Sequence, residues 1–243
     1  MGRQPSLWLV ERGEAVMSHV IAAVSTGSQI SAIGILRLSG SGCAQVAGQV
    51  FRPKSGRPLE EAPNRKLVLG ALQDRQGRVL DQCMAVFTRG PHSYTGEDTV
   101  ELHCHGSPAV LAAGLEALYQ AGARPARRGE FTKRAFLNGQ MDLTQAEAVI
   151  DLIEAETADA AANAAGQVGG ALARRLEPVY SVLTDLCSHF HAVLDYPDED
   201  IDEFRLSSYT GALAGAQETL TALLATSARG RVLRQGVRAV ILG

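Results

Sequence analysis

Short apolar runs broken by Gly and Ser fill the first 140 residues, whereas later apolar positions recur at alternating three- and four-residue steps. IAAV at 21–24 and IGILRLS at 33–39 predict strands, because apolar runs of this length between turn residues suit a sheet. The polar STGSQISA between them predicts a loop, and residues 42–51 predict a short helix. LVLGALQ at 67–73 and VLDQCMAVF at 79–87 flank DRQGR, where Gly77 suits a turn, so the pair predicts a hairpin. DTVELHC at 98–104 alternates: Val100, Leu102 and Cys104 share one face, and Thr99, Glu101 and His103 the other.

Ser107-Pro108 opens a predicted helix, with Ser as N-cap and Pro at the first helical position. Val110, Leu111, Leu115 and Leu118 supply its buried stripe, and Gly122 suits its C-terminal cap. A second short helix is predicted over 130–137, ended by Asn138-Gly139. From 142 the pattern predicts long helices, started by a capping box of Asp142 with Gln145 or of Thr144 with Glu147. Leu143, Ala146, Ile150, Ile153, Thr157, Ala160 and Ala164 read as one stripe, interrupted at Gly169-Gly170. Leu172, Leu176, Val179, Leu183, Leu186, Phe190 and Val193 form the next, and Pro178 inside it predicts a kink or a late helix start. DYPDEDID at 195–202 predicts a loop, and 207–228 a third helix.

The fold class read from this pattern is α+β: a mixed α/β domain followed by an all-α, bundle-like segment. The expected divisions are an extension at 1–17, an N-terminal domain at 18–140, a helical domain at 141–235 and a lone strand within 236–243. Met17 stands before a better strand entry than Met1 does, so Met17 is the expected start.

The chain has 243 residues, 46% hydrophobic and 20% charged, which suits one or two domains with a sizeable core. A net charge of −3 gives no global attraction to nucleic acid or anionic lipid. An RNA partner would therefore need a local patch or another protein to hold it. Cysteines 43, 83, 104 and 187 form no CxxC pair, which predicts reduced thiols in a cytosolic protein. No uncharged apolar stretch reaches the ~18 residues of a membrane span. Glu11, Arg12 and Glu14 interrupt any signal-peptide core.

Arg37 ends an apolar strand on the face of Ile33 and Ile35, and an arginine there needs a partner, because burying a lone guanidinium is costly. Glu101 is the expected partner, as a structural ion pair or as part of a site. His103-Cys104-His105 is not a metal motif, since successive strand residues point to opposite faces. The acidic run Asp198, Glu199, Asp200, Asp202, Glu203 lacks the glycine and final glutamate of a calcium loop and reads as a solvated loop. Arg124, Arg127, Arg128, Lys133 and Arg134 form a modest basic cluster, either a solvated face or a contact for anionic groups. No nucleophile–base pair stands out, so no catalytic residue is named.

Taken in order, GILRLSG (34–40), GPHSYTGEDTVELHCHGSP (90–108), GEFTKRAFLNGQMDLTQAEAVIDLI (129–153) and DYPDEDI (195–201) resemble the MnmE (TrmE) family of tRNA-modification GTPases. The resemblance implies a folate-binding N-terminal domain similar to the aminomethyltransferases, then a helical domain with a Ras-like G domain inserted in it. It implies that VRAVILG (237–243) is the first strand of that G domain, and that Gly243 is the first glycine of the phosphate loop. The rest of that loop would follow Gly243, so GTP, Mg²⁺ and K⁺ are expected only in a full-length protein.

By the same resemblance, Arg37, Glu101 and Gln140 fall on positions that contact a reduced folate, 5-formyl- or 5,10-methylenetetrahydrofolate. Family members commonly carry lysine at the third position; Gln140 keeps hydrogen bonding but lacks the charge. Arg127, Arg128, Lys133 or Arg134 are the candidates to compensate. The resemblance further implies a homodimer through the N-terminal domain, in the cytoplasm and off the membrane. Its partner would be the FAD-carrying flavoprotein MnmG (GidA), acting on C5 of the wobble uridine of tRNA, with the tRNA held mainly by that partner. Two alternatives stay open: a stand-alone folate-binding or dimerising module without GTPase activity, and a fragment without function.

Overall fold

The structure, a computed structural model, describes residues 19–27, 29–196, 202, 204–235 and 240–241. The extension at 1–17, most of the acidic run at 198–203 and Gly243, with most of the strand expected before it, lie outside the described residues. The chain divides after Gln140 into two units.

The first unit is built on a seven-stranded sheet. In chain order its elements are β1 (Ile21–Val24), β2 (Ser31–Ser39), α1 (Cys43–Val50), β3 (Phe51–Pro53), a 3₁₀ turn (Leu59–Glu61), β4 (Leu67–Gln73) and β5 (Val79–Thr88). There follow β6 (Thr99–Gly106), α2 (Pro108–Gln120), β7 (Arg124–Pro125) and α3 (Glu130–Leu137). The strand order is β3-β4-β5-β6-β2-β1-β7. Every pairing is antiparallel except the parallel edge of β1 with β7. The expected hairpin is β4–β5, and its turn uses Gly77 at φ 79°, a left-handed conformation that glycine adopts without strain.

One face of this sheet is the core face. Leu36, Leu38, Leu72, Ala85, Phe87, Val100 and Leu102 bury there against Cys43 and Ala47 of α1 and Leu111 and Leu118 of α2. Each large aliphatic side chain so buried contributes about 1.5–3 kcal/mol. α2 comes close because Gly114 has no side chain: a Cβ there would stand 2.7 Å from Leu36 Cδ1 and 2.8 Å from Leu72 Cδ2. Strand alternation sends the intervening residues to the other face. Ile33, Leu67, Leu69 and Met84 are exposed on it, so the face that carries Arg37 with Ile33 and Ile35 is not the core face.

The second unit contains α4 (Leu143–Ile153), α5 (Ala158–Val168), α6 (Ala171–Asp195), a 3₁₀ turn (Leu206–Tyr209) and α7 (Thr210–Gln235). The structure decides between the two capping boxes. The Asp142 side chain accepts from the Gln145 N–H at 2.9 Å, and the Gln145 side chain accepts from the Asp142 N–H at 2.9 Å. The stripe expected to run unbroken from 143 to 164 is instead two helices. Thr157 is not a packing position but the N-cap of α5, its hydroxyl accepting from the Ala160 N–H at 3.1 Å. α6 runs from Ala171 through Pro178, so the late start does not occur. Its stripe is half open: Leu183 and Phe190 are exposed, while Val179 is buried. Among the described residues, no helix is long and apolar enough to cross a membrane.

Candidate functional site

Pairing of β2 with β6 sets Arg37 directly opposite Glu101. The Arg37 Nε donates to Glu101 Oε1 at 2.7 Å, with the two side chains 28% and 26% exposed. This expected pair therefore exists and sits half-buried on the outer face, where water still reaches it. The Arg37 guanidinium carbon also lies 5.6 Å from the Tyr94 ring centroid and 5.7 Å from that of Phe131. Both rings are within cation–π range, which fixes the arginine from two further sides. Tyr94 Oη and Thr132 Oγ1 are 3.0 Å apart, which ties the β5–β6 loop to α3.

His103 is next along the same face of β6. Its Nε2 is 3.4 Å from Glu101 Oε2, a long contact beside the 2.7 Å bond to the other oxygen. Oε2 thus keeps acceptor capacity. His105 does not join it: its Nδ1 is 2.7 Å from Asp81 Oδ1, and its N–H donates to Asp81 Oδ2. Cys104 between the histidines is buried in the core face. Among the described residues, no group of three or more His, Cys, Asp and Glu is placed to hold a metal ion.

Gln140 is placed by the way α3 ends. The Gly139 N–H bonds the Phe136 carbonyl at 3.0 Å and the Gln140 N–H bonds the Ala135 carbonyl at 2.8 Å. This is the paired bonding of a Schellman motif, with Gly139 at φ 70°. The Gln140 side chain then lies against Gly96, where an added Cβ would come within 3.2 Å of its Nε2. Asn138 Nδ2 donates to the Thr95 carbonyl at 2.7 Å. One loop therefore touches two of the three expected positions, Tyr94 meeting Arg37 and Gly96 meeting Gln140. No hydrogen bond joins Gln140 itself to Arg37 or Glu101 among the described residues.

Beside the site, one step further along the same face of β2, runs a polar network. Arg134 Nη1 donates to Glu97 Oε2 at 2.7 Å, and its Nη2 donates to the His19 carbonyl at 3.0 Å and to Glu130 Oε1 at 3.3 Å. Ser39 Oγ donates to Glu97 Oε2 and contacts Thr95 Oγ1, each at 2.7 Å. Glu130 also takes both guanidinium nitrogens of Arg124 and the Arg127 N–H. The Arg124 hydrogen bond, with the help of that backbone donor and of Arg134, holds the Glu130 carboxyl down at about 2. Two members of the basic cluster are consequently committed: Arg134 is buried and Arg124 is paired. Only Arg127, Arg128 and Lys133 stay exposed to meet a ligand's anionic groups.

Sequence reasoning missed Tyr94, Phe131 and the Glu97–Arg134 pair. Their signal lay inside SYTGEDT and GEFTKR, but only tertiary contact shows which residue each one touches.

Residues 20–140 match the family model described as GTP-binding protein TrmE N-terminus, and residues 143–239 match the MnmE helical domain. The chain is 42% identical over 225 residues to a tRNA modification GTPase MnmE of Symbiobacterium thermophilum, covering 93% of this chain and 49% of that protein. It is 43% identical over 224 residues to MnmE of Thermus thermophilus, covering 92% and 50%. It is 38% identical over 227 residues to MnmE of Clostridioides difficile, covering 93% and 49%. The chain spans about half the length of these curated relatives.

Proposed function

The chain belongs to the MnmE family of tRNA modification GTPases, and from that premise we propose that its first unit binds a reduced folate at Arg37, Glu101 and Gln140. The supporting observation is the half-buried Arg37–Glu101 pair, whose second carboxylate oxygen has only the long 3.4 Å contact with His103 and keeps acceptor capacity for a ligand. The donor set fits such a group. Glu101 Oε2 can accept an N–H from the guanidine-like edge of a pterin, a charge-assisted bond that contributes about 1.5–3 kcal/mol. Arg37, fixed by Tyr94 and Phe131, orients that carboxylate. Gln140 offers an amide, and Arg127, Arg128 and Lys133 are the cations available for the folate's carboxylates. When bound, 5-formyl- or 5,10-methylenetetrahydrofolate supplies a one-carbon unit.

In this reading the chain forms a homodimer through its first unit and works in the cytoplasm with a flavoprotein of the MnmG (GidA) kind. The pair modifies C5 of the wobble uridine in tRNA. GTP hydrolysis, with Mg²⁺ and K⁺, is in this reading the work of the G domain of the full-length protein, with VRAVILG (237–243) as its first strand and Gly243 as the first phosphate-loop glycine.

Calorimetric titration with 5-formyltetrahydrofolate tests the reading. Glu101→Ala abolishes the binding heat, and Glu101→Gln weakens binding tenfold or more, each with an unchanged circular dichroism spectrum. Titration heats in Glu101→Ala equal to those of the parent chain would overturn the reading.

A further inference from the structure

Cys83 on β5 and Cys104 on β6 meet on the core face, behind the candidate site. The register that pairs Met84 with His103 and Ala85 with Leu102 places Cys83 opposite Cys104. The backbone pattern shows which kind of pair this is. The Gly40 N–H bonds the Asp98 carbonyl at 3.0 Å, so Asp98 and every second residue after it direct their backbone groups toward β2. The residues between them turn toward β5, as the His105 N–H does in reaching Asp81 at 2.8 Å. Cys104 faces Cys83 as a non-hydrogen-bonded pair, the class with Cα atoms about 4.5 Å apart and side chains closest. A disulfide takes Cα separations of about 4.4–6.8 Å, so this pair can close without moving the strands apart. Both residues are buried, 3% and 2% exposed, and the Cys104 thiol donates to the Leu102 carbonyl on its own strand at 3.7 Å.

We propose that Cys83 and Cys104 form an intramolecular disulfide site that a small peroxide closes. The neighbouring Cys104 thiol lowers the Cys83 thiol, while Cys83 and then burial push Cys104 up, which makes Cys83 the attacking sulfur of the pair. The Cys83 thiolate attacks one peroxide oxygen, giving a sulfenic acid and hydroxide. The Cys104 thiol then attacks that sulfur, forming the S–S bond; its proton leaves with the sulfenic hydroxyl as water, and the proton given up earlier by Cys83 neutralises the hydroxide. Two thiols are oxidised and one peroxide is reduced to two waters. Burial makes the reaction wait on local opening of the sheet. The exposed Cys187 has no such requirement and serves as the internal comparison.

The test uses the native, reduced chain. It is treated with hydrogen peroxide, unfolded, blocked with N-ethylmaleimide and digested with trypsin without reductant. The expected product is the peptide of residues 79–89 joined to that of residues 90–127. In Cys104→Ala the reaction stops at the Cys83 sulfenic acid, which dimedone captures. Recovery of Cys83 and Cys104 both as maleimide adducts, or linked peptides that contain Cys187 in place of this pair, overturns the proposal.

Discussion

Arg134 of α3 and Glu97 of the β5–β6 loop form a 2.7 Å ion pair whose side chains are 11% and 18% exposed. Removing Arg134 leaves the Glu97 carboxylate with little water and without its counterion. Arg134→Ala lowers the stability of the sheet unit by about 3 kcal/mol, read from amide exchange of β2 and β6. Arg134→Lys recovers only part of it, because an ammonium cannot reach Glu97, Glu130 and the His19 carbonyl together. Equal protection in the parent chain and Arg134→Ala would show the pair to be ornamental.

Glu130 links folding to acid. Its folded carboxyl sits at about 2, below its ordinary 4.5, so the unfolded chain binds more protons between those values. This contribution is complete above about pH 5 and is lost as pH falls toward 2. With solvent screening allowed for, its size is about 2 kcal/mol. Urea unfolding at pH 7 and pH 3 measures it, and Glu130→Gln flattens that portion of the profile. A variant with the parent's full acid sensitivity would assign the effect elsewhere.

How much of this was legible in the sequence depends on the range of the interaction. The β4–β5 hairpin, α2 behind Ser107-Pro108 and the end of α3 at Asn138-Gly139 were readable, because turn and cap chemistry is written in adjacent residues. β3 and β7 were not: three and two residues long, they exist because Phe51–Pro53 and Arg124–Pro125 find edges to pair with. The break between α4 and α5 was hidden by a stripe that stays in phase across it, and Thr157 reads equally as a seam position or a cap. Arg37 and Glu101 could be named as partners from charge and burial alone. The rings that hold Arg37 could not, since Tyr94 and Phe131 are far apart in the chain.

Gly70 of β4 is fixed by its neighbours. A Cβ there would run into the Phe51 ring and stand 2.5 Å from the Arg52 carbonyl oxygen, a backbone atom that cannot swing aside. Gly70→Ala costs about 1–3 kcal/mol and loosens the β3–β4 edge first. Hydrogen exchange at Leu69 to Leu72 detects it, and unchanged rates there would contradict the packing argument.

Helix α4 depends on a single cap. Asp142→Ala removes the acceptor for Gln145 N–H and costs about 1 kcal/mol of helix stability, seen as faster exchange in the first turn. Glu147→Ala, at the box the structure does not use, stays within about 0.5 kcal/mol of the parent. The reverse ranking would mean the helix starts two residues later.

β1–β2 and β4–β5 are local hairpins, but the strands that join them, β2 and β6, are separated by some sixty residues of chain. That seam must wait for a long loop to close, which makes it the slow step of building the sheet. Arg37 and Glu101 face each other across it. A molecule that grips both therefore recognises only the chain in which the seam has closed, and its binding adds to the free energy of closure. The ligand's concentration in the cell would then set how long a newly made chain stays folded, apart from any chemistry the ligand brings.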